Sequence, residues 1–391
     1  MGIAYIHQEL SLCGHLSVAE NIFMGAEPQR AGWLRRDVMN REAAEILASF
    51  PHPALTPEEV VPLKTHLARS HMTYLHSPPS MVEILNKFQP DVIHIEEEPQ
   101  ALITVETIAL QRVRARSATV TLFSWDNLLR HRRFPLGAVK RKMRSYSLAR
   151  VAEVICGNRR AAELLNAEGL FSGLIDVFPQ YGLDVAEHRP GIESELRAEL
   201  GLEGSVVVGY IGRLVPEKGL RLLIDALGHL SSHPWKLLLV GAGPFESEIR
   251  ERWMADFPGR IVLVEAVPQS QVARYLRCVD IFVLASYSTP SWMEQFGLTL
   301  AQAMLVGVAS IGSASGAIPE VLGPGGLLFE EGQVEGLERD LESPLVSPER
   351  REQVGTLVRE FALRNYITEH VAARYLAAFE RARRCSAAGN Q

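Results

Sequence analysis

The chain has 391 residues, 47% of them hydrophobic and 22% charged, which is typical of a globular protein with two or three domains. Its formal net charge of -6 gives no general case for binding nucleic acid. The four cysteines are far apart and form no CxxC or Cys/His cluster, so the sequence predicts neither a disulfide framework nor a metal site and favours a cytoplasmic protein.

The first fifty residues differ in character from the rest of the chain. Ile3–Ile6 has the pattern of a short strand, and helices are predicted over Val18–Phe23 and Asp37–Phe50. No signal peptide is predicted, because Met1–Phe23 lacks a basic start followed by an apolar core. No GxxxxGK[ST] loop occurs in the chain, so nothing would cradle a triphosphate.

The run GIAYIHQELSLCGHLSVAENIFMG resembles an internal piece of the sugar-importer ABC ATPases. The resemblance implies that Gln8 corresponds to the glutamine that reaches the metal and water of the nucleotide in that family. It covers only residues 1–50, and the transporter signature loop is missing. We therefore expect a relic of gene fusion or rearrangement rather than a unit that hydrolyses ATP, with a misplaced start of the reading frame as the alternative.

Residues 51–183 alternate strands and helices, which predicts a domain with a parallel sheet. A domain of this type usually begins with one more strand–helix pair, so we expect a shortened first domain. The predicted strands are Val92–Ile95, Ala118–Phe123, Val154–Cys156 and Ile175–Phe178. The predicted helices are Ser80–Phe88, Gln100–Arg114, Leu136–Arg150 and Arg159–Glu168.

Several polar residues of this domain follow predicted strands, where open parallel sheets place their ligand groups. Asp126 and His131 are candidates for acid/base catalysis or acceptor binding, although a loop acid and a solvated histidine explain them more simply. His94 is expected to be a strand-edge histidine. The Glu96–Glu98 triplet has no spacing that demands a metal.

The stretch Arg130–Arg150 carries eight Lys/Arg residues and no acid. Apolar residues are interleaved with the basic ones, so the stretch could lie on anionic lipid headgroups or meet a phosphorylated acceptor. A solvated basic helix face explains it equally well.

Residues 184–370 form a second alternating pattern, and we expect a second α/β domain followed by a final segment, 371–391. The predicted strands are Val206–Ile211, Lys236–Val240, Ile261–Val264, Ile281–Leu284 and Val308–Ile311. Two cations, Arg213 and Lys218, lie in the turn after the first of these strands and could close on one diphosphate. Gly243 belongs to a Gly-rich turn that lacks the full GxGxxG, so no dinucleotide is predicted.

One loop–helix junction of this domain has the pattern of an anion site. A helix that starts after Phe296 and Gly297 would point backbone N–H groups at a diphosphate. Glu294 is placed to accept hydrogen bonds from sugar hydroxyls, and Gln302 can reach a ribose edge from about one turn into the helix. The alternative is a buried α/β unit with an incidental surface Glu. Residues 295–319 are uncharged, but their glycines favour a buried helix–strand pair over a membrane span.

The motifs GRLVPEKG, GAGP, EQFGLTLAQAM and SGAIPEVLGPGG occur in this order within the second domain. Together they resemble the donor domain of the GT-B-fold retaining glycosyltransferases of family four, and the similarity extends over about residues 60–385. It implies an α/β architecture in which two Rossmann-like domains face a cleft. It also implies that the final helix, Ile367–Arg383, crosses back onto the first domain.

The resemblance further implies a set of site residues. Arg213 and Lys218 would neutralise the donor diphosphate, and Glu294 with the backbone of Phe296, Gly297 and Leu298 would hold the sugar and phosphates. The implied donor is a nucleoside-diphosphate sugar, bound without a metal or another cofactor. Gly212, Gly243 and Gln302 complete the expected donor-binding set.

The sequence departs from the family pattern in three places. The second acid of the donor motif is Gln302, which predicts weaker or altered ribose binding. A histidine of the first domain is replaced by Ser124-Trp125-Asp126, which leaves Asp126 as the candidate catalytic residue there. The family's glycine-rich first loop has no counterpart.

We therefore expect a cytoplasmic glycosyltransferase with an optional contact to the inner membrane face through Arg130–Arg150. A non-catalytic protein that binds nucleotide sugars is the main alternative, and a transporter-associated ATPase subunit is a weaker one. The donor base and sugar stay open, as do the oligomeric state and an acceptor that could be a glycan, a lipid-linked sugar or a small molecule.

Overall fold

The computed structural model describes residues 74–128 and 135–388, together with residue 63 and four short strands nearer the N-terminus. Four of the features predicted above lie outside the described residues: Gln8, His131 and the two helices expected over Val18–Phe23 and Asp37–Phe50. The first five residues of the basic stretch, 130–134, lie outside them too.

The described strands fall into two parallel sheets and two short antiparallel pairs. In chain order they are β1 (Ile3–Ile6), β2 (Gln29–Arg30), β3 (Trp33–Leu34), β4 (Thr65–His66), β5 (Leu75–His76), β6 (Val92–Ile95), β7 (Thr119–Ser124), β8 (Glu153–Cys156), β9 (Leu174–Val177), β10 (Val206–Ile211), β11 (Trp235–Val240), β12 (Ile261–Val264), β13 (Ile281–Leu284), β14 (Ala309–Ser313) and β15 (Leu327–Phe329).

The described helices lie mainly between these strands. They are α1 (Pro78–Phe88), α2 (Leu102–Arg114), α3 (Leu136–Leu148), α4 (Arg159–Glu168), α5 (Ser194–Glu199), α6 (Leu220–His229), α7 (Glu246–Glu248), α8 (Met254–Asp256), α9 (Gln269–Leu276), α10 (Leu298–Val306), α11 (Ile318–Leu322), α12 (Val334–Val346), α13 (Pro348–Asn365) and α14 (Thr368–Ala388). A π-helical turn, Ile249–Trp253, joins α7 to α8, and 3-10 turns occur at Pro216–Lys218 and Gly323–Gly325.

The first sheet has five parallel strands in the order β1-β6-β7-β8-β9. Its inner strands are buried on both faces, which is why they read as short apolar runs. The edge strand β1 pairs in register with β6, Ile3 opposite Val92. The strand that completes this sheet therefore comes from the stretch that resembles a transporter ATPase.

The second sheet has six parallel strands in the order β12-β11-β10-β13-β14-β15. Numbered within the domain, this is the order 3-2-1-4-5-6 of a dinucleotide-type Rossmann fold, whose topological switch point lies between the first and fourth strands. One continuous apolar core fills this domain, with Trp235, Tyr210 and Phe282 among its largest fully buried side chains. Ligand groups are therefore expected after β10 and β13.

The chain crosses between the two domains at two neighbouring places. Leu183 donates its backbone N–H to Tyr366 O (2.7 Å), and Thr368 donates to Leu183 O (3.1 Å), so residues 183 and 367 form a parallel bridge. A Cβ on Gly182 would lie 2.3 Å from the Thr368 Cα, so the crossing leaves no room for a side chain there.

After the second crossing, α14 packs on the first domain, as expected for the final helix. Val371, Ala378 and Phe379 are buried in one cluster with Phe123 and Ile155 of the first sheet. At the helix surface, Arg381 pairs with Glu153 (2.7 Å) and with Asp176 (2.8 Å). The last helix thus belongs to the core of a domain that is remote in sequence.

Candidate functional site

The turn after β10 approaches the loop after β13 closely. Gly219 has φ +70°, and a Cβ there would lie 1.9 Å from the Ala285 carbonyl oxygen, so glycine is required on both counts. This approach brings Lys218 beside the β13 loop. Arg213 lies exposed in the same turn, where its carbonyl oxygen accepts a hydrogen bond from the buried Tyr210 hydroxyl (2.8 Å).

Lys218 and Glu294 form an ion pair at the switch point. The Lys218 Nζ lies 2.5 Å from Glu294 Oε2, and the same oxygen accepts a hydrogen bond from Ser286 Oγ (3.1 Å). Glu294 is only 7% exposed. The Lys218 ammonium also lies 4.8 Å from the centre of the Trp292 ring, a cation–π distance. A cation and a hydrogen-bond acceptor are thus held side by side in a partly dry site.

Burial raises the pKa of the Tyr210 hydroxyl, and the negative charge of Glu294 raises it further, while the Arg213 guanidinium lowers it. The charges of Arg213 and Glu294 both act on the pKa of the Tyr210 hydroxyl, so both side chains lie near Tyr210. Lys218 contacts Glu294 directly, whereas the Arg213 guanidinium has no contact with Glu294 given by the structure.

The amino end of α10 follows this cluster directly. Gly297 precedes the helix with φ +83°, and the first helical hydrogen bond is donated by Leu300 to the Gly297 carbonyl (2.9 Å). The N–H groups of Leu298 and Thr299 come before that bond, at the end of a helix where anions are stabilised. Phe296 is buried and anchors the turn through ring contacts with Trp125 and Tyr366.

Gln302 is buried in the second turn of α10, with 1% of its surface exposed. Its side-chain nitrogen lies 3.0 Å from His188 Nε2, and its Oε1 has no hydrogen-bond partner among the described residues. The Gln302 side chain is thus tied on one side to the segment that follows the interdomain crossing.

The Gly-rich turn after β11 supports the β10 turn. A Cβ on Gly241 would lie 1.9 Å from the Gly212 carbonyl oxygen, and one on Gly243 would lie 2.4 Å from that of Leu214. The Gly243 N–H donates to Glu246 Oε1 (2.9 Å). Gly241 and Gly243 therefore let the two turns pack together, and the Gly243 amide is already engaged by a side chain. A Cβ on Gly212 would instead lie 2.9 Å from the Tyr210 hydroxyl oxygen.

Loops of the first domain touch the Glu294 turn directly. Asn127 donates from Nδ2 to the Glu294 carbonyl (3.0 Å), and Asn158 does the same to Gln295 (3.0 Å). Gln295 in turn donates to the Trp125 carbonyl (3.0 Å). The Glu294 turn and the carboxyl edge of the first sheet are therefore in direct contact.

Asp126 lies on the first-domain side of this contact, with its carboxylate directed toward its own domain. It accepts a hydrogen bond from Gln100 (2.7 Å) and lies 3.8 Å from an Arg144 nitrogen. Glu98 is beside it and accepts hydrogen bonds from Ser124 Oγ (2.7 Å) and the Trp125 N–H (2.8 Å). Burial, and then the Asp126 charge, raise the pKa of Glu98 to about 8.

The other polar candidates of the first domain are packed. Burial raises the pKa of Glu97 to about 7, although a hydrogen bond from the Tyr74 hydroxyl (3.2 Å) acts to lower it. His94 is buried, shares a hydrogen bond with Thr121 Oγ1 (2.8 Å) and contacts the Phe379 ring. His94 therefore sits at the contact with α14, away from the Glu294 cluster.

The described part of the basic stretch forms α3. Leu136 and Val139 are exposed by 66% and 52%, and Arg141 and Lys142 on the same helix are exposed too. Arg144 differs, because it pairs with Glu168 (2.7 Å). Within the described residues, no helix is both long and apolar enough to cross a membrane. Among these same residues no three His, Cys, Asp or Glu side chains are grouped to hold a metal ion.

Sequence reasoning missed several residues that the fold brings to the site: Ser286, Trp292, Asn127, Asn158 and His188. Ser286 and Trp292 lie in the loop that contains Glu294, so a loop-wide reading could have included them. Asn127, Asn158 and His188 reach their partners over 114 to 167 positions of sequence, and no local pattern indicates such contacts.

Comparison with known proteins is consistent with this geometry. Residues 192–361, which contain the whole second sheet, match the model of the family described as Glycosyl transferases group 1. Over 248 residues the chain is 29% identical to the 2-deoxystreptamine glucosyltransferase of Streptomyces kanamyceticus, covering 60% of this chain and 62% of that protein. It is 30% identical over 191 residues to the D-inositol 3-phosphate glycosyltransferase of Segniliparus rotundus, covering 46% of this chain and 41% of that protein. The chain thus spans less than two thirds of these relatives.

Solved structures share the fold. Anabaena HepE in complex with UDP superposes with a TM-score of 0.65 at 18% identity, covering 78% of this chain and 82% of that one. A glycosyltransferase from Rickettsia africae gives a TM-score of 0.65 at 15% identity, covering 78% and 80%. The predicted GT-B architecture of two Rossmann-like domains is therefore confirmed.

A short stretch of the chain has different relatives. Over 47 residues it is 60% identical to the xylose import ATP-binding protein XylG of Brucella abortus, covering 12% of this chain and 9% of that protein. This length agrees with the resemblance noted for residues 1–50. Because the match covers only 9% of that protein, it gives no reason to expect ATPase activity in this chain.

Proposed function

We propose that the protein is a glycosyltransferase that takes a sugar from a nucleoside-diphosphate sugar. One observation carries the proposal: the Lys218 ammonium and the Glu294 carboxylate touch at 2.5 Å, at the switch point of a Rossmann-like sheet and beside the amino end of α10. A matching ligand carries phosphate oxygens, which can bind the Lys218 ammonium, close to hydroxyl groups, which can donate to the Glu294 carboxylate. A nucleotide sugar has that chemistry.

Each donor residue then has a physical role. Arg213, Lys218 and the N-terminal amides of α10 stabilise the charge that grows on the leaving diphosphate. Glu294 orients the sugar through its hydroxyls, and Gln302 accepts from or donates to the ribose. Gly243 lets the β11 turn approach the β10 turn, and Gly212, which has no side chain, would leave room for the ligand beside the β10 turn.

The proposed reaction is a single transfer with retention of configuration and no metal. The acceptor hydroxyl oxygen forms a bond to the anomeric carbon on the face that the diphosphate leaves. The bond between that carbon and the phosphate oxygen breaks, and the departing diphosphate takes the hydroxyl proton. Asp126, held by Gln100 and Arg144, binds the acceptor rather than the donor.

The proposed substrates follow from the relatives only in outline. The Anabaena HepE structures contain UDP and glucose, so UDP and UDP-glucose are the first ligands to test. The two relatives are named for 2-deoxystreptamine and for D-inositol 3-phosphate. The acceptor of this protein is therefore proposed only as a molecule with a free hydroxyl: a small polyol, a glycan or a lipid-linked sugar.

The test is a thermal-shift series followed by a transfer assay on the full chain. UDP, GDP, ADP and the corresponding glucose nucleotides are compared, and the matching nucleotide raises the melting temperature because it binds only the folded state. Release of the nucleoside diphosphate from its sugar, with and without a polyol acceptor, is then measured. Binding together with release supports a transferase. Binding without release in any acceptor favours the non-catalytic alternative, and the absence of binding by every nucleotide contradicts both.

We further propose that α3 rests on an anionic membrane surface, which would place a lipid-linked acceptor near Asp126. The exposed Leu136 and Val139 beside Arg141 and Lys142 support this, because such faces combine apolar burial with attraction to lipid charge. Replacing Arg141 and Lys142 together with Gln is expected to lower co-sedimentation with phosphatidylglycerol vesicles several-fold.

The matched control replaces Arg383 and Arg384, exposed on α14, with Gln, because this removes the same charge from another surface. Equal loss in both variants, or no binding of the wild type at low salt, contradicts the membrane contact.

A further inference from the structure

The hydrogen bonds around His188 fix its tautomer. His188 Nδ1 lies 2.8 Å from the Asp184 carbonyl oxygen, which can only accept, so Nδ1 carries the hydrogen. In the neutral ring Nε2 is then an acceptor. His188 is 2% exposed, so water contributes little to this arrangement.

This tautomer in turn fixes the orientation of the Gln302 amide. Gln302 Nε2 lies 3.0 Å from His188 Nε2, and the amide must present its NH₂ group to that acceptor. Its Oε1 therefore faces away from His188. A buried carbonyl oxygen without a partner is costly, and Oε1 has none among the described residues.

The position of Gln302 suggests which ligand group could donate a hydrogen bond to Oε1. The residue lies one turn beyond the amino end of α10, and α10 follows the loop of Glu294. The proposed donor brings ribose hydroxyls to this region, and a hydroxyl can donate to a carbonyl oxygen. If the amide were reversed, its NH₂ group would be presented to the ligand and Oε1 would face the lone pair of His188.

We propose that His188 is a positioning residue that holds the Gln302 amide so that Oε1 accepts a hydrogen bond from a ribose hydroxyl of the donor. The inference rests on the proposed function, because it needs a nucleotide at this site. It assigns His188, which contacts no expected ligand group itself, a role in selecting ribonucleotides over deoxyribonucleotides.

The experiment measures the ratio of the dissociation constants of 2′,3′-dideoxy-UDP and UDP by calorimetry, or of the matching pair if GDP or ADP binds better. The wild type is expected to prefer the ribonucleotide by about fivefold or more, the scale of losing a partner for one buried acceptor. In His188→Phe, the amide loses its anchor, and the ratio should fall toward one. His188→Gln, whose own carbonyl can accept from Gln302, should restore part of the preference.

A double-mutant cycle separates positioning from a general structural effect. Gln302→Leu should lower the ratio as His188→Phe does, and the double variant should lower it no further, because His188 acts only through Gln302. A further drop in the double variant, or an unchanged ratio in His188→Phe, overturns the proposal. If His188→Phe does not fold, ¹⁵N chemical shifts of the histidine rings in the wild type decide, and hydrogen on Nε2 of His188 overturns it.

The outcomes also separate this inference from the function on which it rests. If no nucleoside diphosphate binds the wild type, the proposed function fails. If UDP and its dideoxy form bind the wild type equally, the function stands and the role of His188 is wrong.

Discussion

At the scale of single residues, the Lys218–Glu294 pair sets what each group can offer a ligand. Glu294 is 7% exposed, and the Lys218 ammonium at 2.5 Å and the Ser286 hydroxyl fix the orientation of its carboxylate. A bound phosphate would share Lys218 with this carboxylate. The contacts of the proposed site are therefore formed without a ligand, which is the condition for electrostatic stabilisation of the leaving group in the proposed reaction.

Removing either cation of the β10 turn tests that role. Lys218→Ala and Arg213→Ala are each expected to lower the turnover of the matching nucleotide sugar by well over about tenfold, the scale of losing one preorganised charge contact. Initial rates at saturating donor measure the effect. Arg339→Ala, at an exposed position of α12, is the control and should match the wild type. Wild-type rates in both cation variants contradict the phosphate-binding role.

Glu98 predicts a specific dependence of stability on pH. Its pKa is raised from 4.5 to about 8 in the folded protein, so between these values the folded state holds a proton that the unfolded state releases. The stabilisation is fully present below pH 4.5 and is lost as the pH rises through 8. Each pKa unit corresponds to about 1.4 kcal/mol, so urea unfolding should show a loss of a few kcal/mol between pH 5 and pH 9.

Glu98→Gln mimics the protonated carboxyl, because its amide can donate to Ser124 Oγ and accept from the Trp125 N–H. The variant should show a smaller loss than the wild type, and what remains includes the contribution of Glu97, whose pKa is raised to about 7. Glu163→Gln, on the exposed face of α4, should keep the wild-type pH profile. Parallel profiles for the wild type and Glu98→Gln would show that Glu98 is ionised in the folded protein.

The residue scale also shows what sequence can predict of a site. Arg213 and Lys218 follow β10, and Glu294 follows β13. Both strands can be recognised in the sequence as apolar runs, so the expected topology alone places the three residues at the same edge of the sheet. The pair of Gln302 and His188 depends on where the chain returns after the interdomain crossing. Local propensity contains no information on that return.

At the scale of elements, α14 is the clearest case of a helix stabilised by a distant domain. Its apolar residues are buried against Phe123 and Phe178 of the first domain. Ion pairs from Arg374 and Arg381 to Asp176 fix the direction of the helix on that surface. The family resemblance implies both the final helix, Ile367–Arg383, and its docking on the first domain. The π-helical turn between α7 and α8, in contrast, has no residue pattern that would predict it.

Truncating the apolar contact of α14 should destabilise the first domain. Phe379→Ala is expected to cost about 3–5 kcal/mol, because a fully packed aromatic ring is replaced by a cavity. Leu376→Ala lies on the same helix with 53% exposure and should change the free energy of unfolding by well under 1 kcal/mol. Urea titrations of both variants measure the difference. Similar values for the two would mean that α14 does not hold the first domain in solution.

At the scale of the whole molecule, the first sheet obtains its outer strand from the stretch that resembles an importer ATPase. β1 covers one side of β6, whose backbone groups would otherwise form a free edge. The sequence predicted the strand at Ile3–Ile6 and a vacant first position in the domain. It did not predict that Ile3–Ile6 would occupy that position beside β6, because strand pairing between remote segments is set by tertiary packing.

Deleting residues 1–50 tests whether this stretch is part of the fold. The variant should lose stability and aggregate at lower protein concentration than the wild type, since the deletion uncovers β6. Light scattering and thermal unfolding measure the two effects. Deletion of residues 389–391, which end the chain beyond α14, is the control. An equally stable and monodisperse variant lacking residues 1–50 would contradict a structural role for β1.

The bonded bridge between Leu183 and Ile367 has a consequence for how the two domains are held. Two chain passages joined by hydrogen bonds constrain the relative orientation of the domains more than a single linker would. Asn127 and Asn158 add two hydrogen bonds to carbonyl groups of the opposite domain. The entropy of aligning the two halves of the proposed site is therefore lost during folding, before any ligand binds.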